Sequence, residues 1–274
     1  MNLLRIAKEL EEVLAEAPTG RVADVRVTRA TDNPQTNMDK SIDAYLAEAL
    51  PAILDVPIMS EEDPGRVLGR SGLCWIVDPI DGTINVIAGA GDFAICVSLV
   101  NAATLQSLIG MVYLPRLTQL FKAVAGEGAY QNGDLLDKRA IVGESPPAVQ
   151  RIAAFGVPKD GQAVARRMSD ALHNLFATGW VTRQQGAASV DICRVATGSW
   201  AAFFEYGLMY WDFAAAALVA SEAGCSVYAV PCETGPADIV PIEFDLVVAR
   251  TPELLAEVMT AVNLRPQDGM REGR

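Results

Sequence analysis

At 274 residues with 51% apolar side chains, the chain is long enough to bury a substantial core, as one large domain or two closely packed lobes. Thirty-four acidic against 22 basic residues leave a formal net charge of −12 and no basic cluster, which argues against nucleic acid as a partner. The longest apolar runs are strand-sized or broken by polar residues, and Met1 leads into an amphipathic pattern rather than a charged-then-apolar leader, so the expectation is a soluble protein with no membrane-spanning or targeting segment.

Residues 3–17 place Leu3, Ala7, Leu10, Leu14 and Ala17 on one helical face, and "PTG" stops that helix. "RVADVRVT", residues 21–28, alternates as a strand does, and helical spacing returns over 38–50 through Ile42, Leu46 and Leu50. From 93 to 131 the runs "FAICVSLV", "LIGMVYL" and "TQLFKAVA" read as strands, and "YQNGDLL" carries the Asn-Gly signature of a tight hairpin. This half reads as helices on a largely antiparallel sheet. After "GESPPAVQ" at 143–150 the chain alternates. Strands are predicted at 151–155, 180–184, 201–205, 225–230 and 245–249, with helices at about 161–177, 187–197, 212–223 and 252–263. We therefore expect an N-terminal α+β lobe over 1–145, a smaller layered α/β lobe over 146–274, and a frayed tail in "RPQDGMREGR".

Five scattered cysteines without a CxxC pair suggest reduced thiols in a cytoplasmic protein. The single histidine, His173, lies in the helical pattern "SDALHNLF" and is read as structural; mechanisms that need two imidazoles are excluded. Chemistry points instead to carboxylates. "CWIVDPIDGT" puts Asp78 and Asp81 three residues apart behind a buried-strand run, with Pro79 expected to end the strand there. "IMSEEDP" places Glu61, Glu62 and Asp63 after another short strand, and "YWDFAAAALVASEAG" sets Asp212 at the start of an apolar helix, as an N-cap. Taken singly, each has an ordinary reading as turn, solvated loop or cap. Taken together, three strand ends present carboxylates that no nearby basic residue neutralises, and such groups raise one another's pKa or recruit cations. Oxygen donors alone point to Mg²⁺ rather than zinc.

"WIVDPIDGTINVIAGAGDFAICVSLV" resembles the first signature of the inositol monophosphatase family, W-x-x-D-P-[IL]-D-G-T-x-N-F, and "YWDFAAAALVASEAGCSV" resembles its second, W-D-x-A-A-G. The Glu-Glu pair and "PQTNMD", with Thr36 and Asp39, are similar to two further elements in the family's order. The resemblance implies a layered αβαβα sandwich of the sugar-phosphatase type, a homodimer and inhibition by Li⁺. It also implies two or three Mg²⁺ ions. Glu61, Asp78 and the Ile80 carbonyl would hold the activating ion, and Asp78, Asp81 and Asp212 a second one. A metal-activated water, polarised by Glu61 and Thr83, would attack phosphorus in line, with Asp39 orienting Thr83 and the N–H groups of Gly82 and Thr83 receiving phosphate oxygens. Asp81, Ala188 and Glu205 would meet substrate hydroxyls.

Other phosphatase designs lack their residues here, since there is no Cys-x5-Arg, no Asp-x-Asp nucleophile and no G-x-x-x-x-G-K-[ST] loop. The expected substrate is a small phosphate monoester, an inositol, polyol or sugar monophosphate. A 3'(2'),5'-bisphosphate nucleotide, histidinol phosphate or a nucleotide monophosphate are alternatives, and a catalytically silent binding relative is the reading outside enzymes. The family pattern is broken at Gln35, Val86, Ala88 and Ala216, of which Val86 and Ala88 are expected to reshape the pocket rim.

Overall fold

The computed structural model describes residues 1–20, 24–29, 34–63, 68–136, 151–157, 161–232, 240 and 242–264. The expected boundary near 145 and the expected tail lie outside the described residues.

Helix α1 (Leu3–Ala15) starts at Asn2, whose side chain accepts the Arg5 N–H at 3.1 Å, and buries Ile6, Ala7, Leu10 and Leu14. Strands β1 (Val27–Arg29) and β2 (Gln35–Thr36) pair antiparallel; the strand expected over 21–28 is reduced to this short piece, and 21–23 lie outside the described residues. Helix α2 (Asn37–Ile53) begins with a capping box: the Thr36 hydroxyl accepts from the N–H groups of Met38 and Asp39, and Asp39 accepts the Thr36 N–H.

A seven-stranded sheet follows in sequence order: β3 (Ile58–Ser60), β4 (Leu73–Asp81), β5 (Ala94–Asn101), β6 (Gln106–Leu114), β7 (Gln119–Val124), β8 (Ala129–Gln131) and β9 (Asp134–Leu135). Only the β3–β4 pairing is parallel. The short helix α3 (Thr83–Ala88) leaves the end of β4. Asn132 and Gly133, both at positive φ, form the expected two-residue hairpin turn between β8 and β9. The second half contributes β10 (Ile152–Phe155), α4 (Gly161–Ala177), β11 (Val181–Arg183), α5 (Ala188–Ala196), β12 (Ala202–Met209), α6 (Tyr210–Glu222), β13 (Ser226–Pro231), β14 (Glu243–Ala249) and α7 (Pro252–Ala261). Its five strands order as β11-β10-β12-β14-β13, parallel on the β10 side and antiparallel around β14.

Period-two alternation assigns the faces. Trp75, Val77, Ile95, Val97 and Leu99 face α1 and α2, whereas Cys74, Ile76, Cys96 and Phe121 face α5 and α6. Phe203, Leu246 and Val248 of the second sheet close on α5 and α6 from the other side, and Ala202, Phe204, Val247 and Ala249 pack on α4 and α7. The order is helix, sheet, helix, sheet, helix, the expected αβαβα sandwich. His173 is exposed on α4, and no helix among the described residues is long and apolar enough to cross a membrane.

One expectation fails in an informative way. Pro79 does not end its strand: β4 runs on to Asp81, and its pairing with β5 shifts register between Asp78 and Asp81. Proline lacks the N–H that a regular ladder would use, and a bulge accommodates it. In a regular strand residues three apart point to opposite faces; past the bulge Asp78 and Asp81 both line one cleft.

The central helices must lie close to the first sheet. A Cβ on Gly110 of β6 would come within 2.5 Å of the Ala215 carbonyl oxygen in α6, and neither backbone can yield cheaply. Gly110→Ala is therefore expected to destabilise the fold by about 2 kcal/mol or more, read as a lowered urea midpoint at unchanged slope.

Candidate active site

The edges of three elements converge on a cleft of about 580 Å³ between the two sheets. Glu61 directly follows β3, and its N–H donates to the Val77 carbonyl at 3.1 Å, which pins it beside Asp78. Asp78 is fully buried; its Oδ1 accepts the Ile80 N–H at 2.9 Å, and its Oδ2 has no hydrogen-bond partner. Asp212 is not an N-cap, since Met209 holds that position and makes no side-chain cap. It is the third residue of α6, one step further into the cleft. One oxygen each from Glu61, Asp78 and Asp212 lie within 4.8 Å of one another.

Asp81 is turned elsewhere. Its carboxylate accepts the N–H groups of Ala188, at 3.2 Å, and Ser189, at 2.7 Å, together with the Ser189 hydroxyl. Three donors at the start of α5 thus hold a group expected beside Asp78 and Asp212. Of the Ala188 backbone, expected near a substrate hydroxyl, the N–H is engaged by this contact.

The Thr83 hydroxyl lies 3.1 Å from Asp39 Oδ1 and 3.0 Å from the Ile80 carbonyl oxygen, so the residue pair expected between α2 and the Asp-Gly-Thr turn is in place. Gly82 precedes it at φ +96°, where a side chain would be strained and would press on Ala187 and the Asp92 carbonyl. At the far end of the cleft stands Glu205 of β12. A Cβ on Gly156 would sit 1.8 Å from its Oε2, so glycine at 156 makes the room this carboxylate occupies.

Sequence reasoning missed two groups. The Asn85 amide donates to the carbonyls of Asp92 at 2.7 Å and Gln185 at 2.8 Å, tying the loop after α3 to the loop before α5. Asp191 of α5 is buried in the cleft wall, and its Oδ1 has no hydrogen-bond partner. Asn85 was visible in the T-x-N motif, but its partners lie on loops that only the fold brings together. Conversely, Val86 is fully buried against Ile80 and Phe93 in the core, and neither Val86 nor Ala88 lines the cleft, so they do not shape its rim.

Burial dominates the electrostatics. It pushes Asp78 well above the carboxylate range, with the charges of Glu61, Asp212 and Asp81 adding to the effect. Asp81 is pushed up to about 6 by burial, against the pull of its Ser189 and Ala188 donors. Glu62, which accepts from the Gln35 amide, rises to about 7 through burial and then the charges of Asp39 and Glu61. Burial likewise raises Asp39 and Asp191. Six carboxylates, Glu61, Asp78, Asp81, Asp191, Glu205 and Asp212, line the cleft, and no lysine, arginine or histidine does so among the described residues. An oxygen-only donor set with an orphaned, buried Asp78 oxygen suits a hard divalent cation.

The profile described as "Inositol monophosphatase family" matches residues 3–265. The chain belongs to the inositol monophosphatase family. Among its relatives, a putative Nus factor SuhB of Neisseria meningitidis serogroup B is 31% identical over 237 residues, 86% of this chain and 87% of that protein. A fructose-1,6-bisphosphatase/inositol-1-monophosphatase of Aquifex aeolicus is 30% identical over 204 residues, covering 74% and 75%. A staphylococcal inositol monophosphatase-1, solved after soaking in 100 mM LiCl, shares the family fold with a TM-score of 0.73 at 22% identity, over 98% of this chain and 97% of that one.

Asp81 contributes one separable part of the pH response of the metal-free protein. Between the ordinary carboxylate range near 4 and about 6 the folded state keeps a proton that the unfolded chain has released. That contribution to stability is complete below this window and is lost as pH rises through it. With chelator present, wild-type stability relative to Asp81→Asn should fall from pH 4 to pH 7, measured by chemical denaturation; a flat difference would contradict the assignment.

Proposed function

We propose that this protein hydrolyses a small phosphate monoester with Mg²⁺ at the Glu61, Asp78 and Asp212 cluster, the alcohol being an inositol, polyol or sugar. The observation that carries the reading is the convergence of these three carboxylates, with the orphaned Asp78 oxygen, in a cleft whose described lining holds no base. Membership of the inositol monophosphatase family supports it. When bound, Mg²⁺ would neutralise phosphate charge, activate water and stabilise the leaving oxygen.

The chain's own groups have separate tasks. Glu61, Asp78 and Asp212 would supply ligand oxygens, with Asp81 and the Ile80 carbonyl as further candidates at the cleft wall. Asp39 fixes the Thr83 hydroxyl, which can then orient water from a constant position. The N–H groups of Gly82 and Thr83 are candidates for phosphate oxygens. Glu205, shaped by Gly156, would accept hydroxyls of the leaving alcohol. The neisserial relative carries the name of a Nus factor rather than of a phosphatase. A role without turnover is the competing reading, and the ligand set retained at Glu61, Asp78 and Asp212 weighs against it.

Two measurements test this. Asp78→Asn should lower phosphate release from inositol 1-phosphate roughly a thousandfold, the scale of a lost metal centre, and should abolish the rise in melting temperature that Mg²⁺ gives the wild type. Full activity in this variant would refute the site. Gly156→Ala should fold normally, because only the tip of a flexible side chain must move, yet raise KM by about tenfold or more for a hydroxyl-rich substrate as Glu205 is displaced, the worth of one hydrogen bond to a charged group.

A further inference from the structure

Large apolar side chains exposed singly on a surface need no explanation, but two of them face the same cleft. Ile84, 67% exposed, projects from the first turn of α3 next to Thr83, and Val157, 49% exposed, follows Gly156 at the end of β10. They belong to different halves of the chain and line the cleft that also holds the carboxylate cluster and Glu205.

The polar groups around Ile84 are already engaged. The Thr83 hydroxyl is held between Asp39 and Ile80, both hydrogens of the Asn85 amide go to the carbonyls of Asp92 and Gln185, and Asp81 takes its three donors from α5. The side chains of Thr83, Asn85 and Asp81 thus have their hydrogen bonds taken up within the protein, and a substrate group that covers Ile84 gains by removing apolar surface from water. The charge of the lining adds a second restriction. Six carboxylates and, among the described residues, no basic side chain line the cleft, so a second phosphate away from the Glu61, Asp78 and Asp212 cluster would meet like charge.

Resting on the hydrolase reading above, we infer that the substrate is a monophosphate ester whose alcohol carries, besides hydroxyls, an apolar or aromatic group seated on Ile84 and Val157, and no second anion. Ile84 and Val157 are then specificity determinants rather than catalytic residues. Covering roughly 40 Å² on either side chain corresponds to about a fivefold gain in kcat/KM.

Three matched probes decide it: glycerol 1-phosphate, its 3-O-phenyl ether, and glycerol 1,3-bisphosphate, each assayed for phosphate release with Mg²⁺. The phenyl ether is expected to exceed glycerol 1-phosphate in kcat/KM by about tenfold or more, and the bisphosphate to fall below both. Ile84→Ser and Val157→Ser, at exposed positions where folding is tolerant, should each lower kcat/KM for the phenyl ether about fivefold while leaving glycerol 1-phosphate within about twofold. Equal rates on the two monoesters, an undiminished phenyl preference in the double variant, or a preference for the bisphosphate would overturn this inference alone. No release from any ester, inositol 1-phosphate included, would overturn the hydrolase reading and this one with it.

Discussion

Like charges converge in a buried place, and the rest of the structure is arranged around that constraint. Glu61 and Asp78 meet through the β3–β4 pairing of the first sheet, and Asp212 joins them from α6, which packs on that sheet. Folding must carry these carboxylates out of water and toward one another, both of which disfavour ionisation. Burial and the neighbouring charges raise Asp78, which favours its protonated form in the absence of a cation. A divalent ion reverses that balance by favouring the charged forms, so metal binding and stability are linked through the same oxygens.

Positioning those oxygens falls to backbone devices more than to side-chain pairs. The bulge after Asp78 turns two aspartates of one strand into the same cleft, and the Glu61 N–H extends the parallel β3–β4 pairing just far enough to place its side chain beside Asp78. The loop that leads into α5 is gripped through a single residue. Asn85, from the first half of the chain, holds the Gln185 carbonyl of the second half. Three and four residues later the Ala188 and Ser189 N–H groups fix Asp81. A shift in that loop would therefore move Asp81 together with the cleft wall.

Much of this was legible in the sequence because it is local. Helical periodicity located α1, α2, α4 and α7 to within a few residues, Asn132-Gly133 marked its hairpin, and the carboxylates at the ends of apolar segments included the three that converge, of which the family resemblance singled out Glu61 from its acidic neighbours. What stayed hidden depends on partners distant in the chain. Pro79 reads as a strand breaker until β5 supplies a partner able to slip register around it. Val86 reads as a rim residue until the Ile80 and Phe93 side chains close over it. Asp212 reads as a cap because an aspartate before an apolar run usually is one, and only the β12–α6 junction shows the helix starting two residues earlier.

The position of Asp81 shows how a site can be built and still need its ion to be completed. Held by three donors at α5, its carboxylate is oriented without being neutralised, since hydrogen bonds from neutral groups favour the charged form but carry no counter-charge. Burial outweighs those donors in the metal-free state, and the group rises to about 6 rather than falling below the usual range. A cation approaching the Asp78 and Asp212 oxygens would remove the repulsion that Asp81 contributes, whether or not Asp81 itself becomes a ligand. The α5 contacts thus keep Asp81 within the field of the cluster, and the Asn85 bonds to the Asp92 and Gln185 carbonyls tie the wall that carries those contacts to the first half of the chain. The carboxylates are gathered by the fold itself, and a divalent cation bound among them would favour their charged forms.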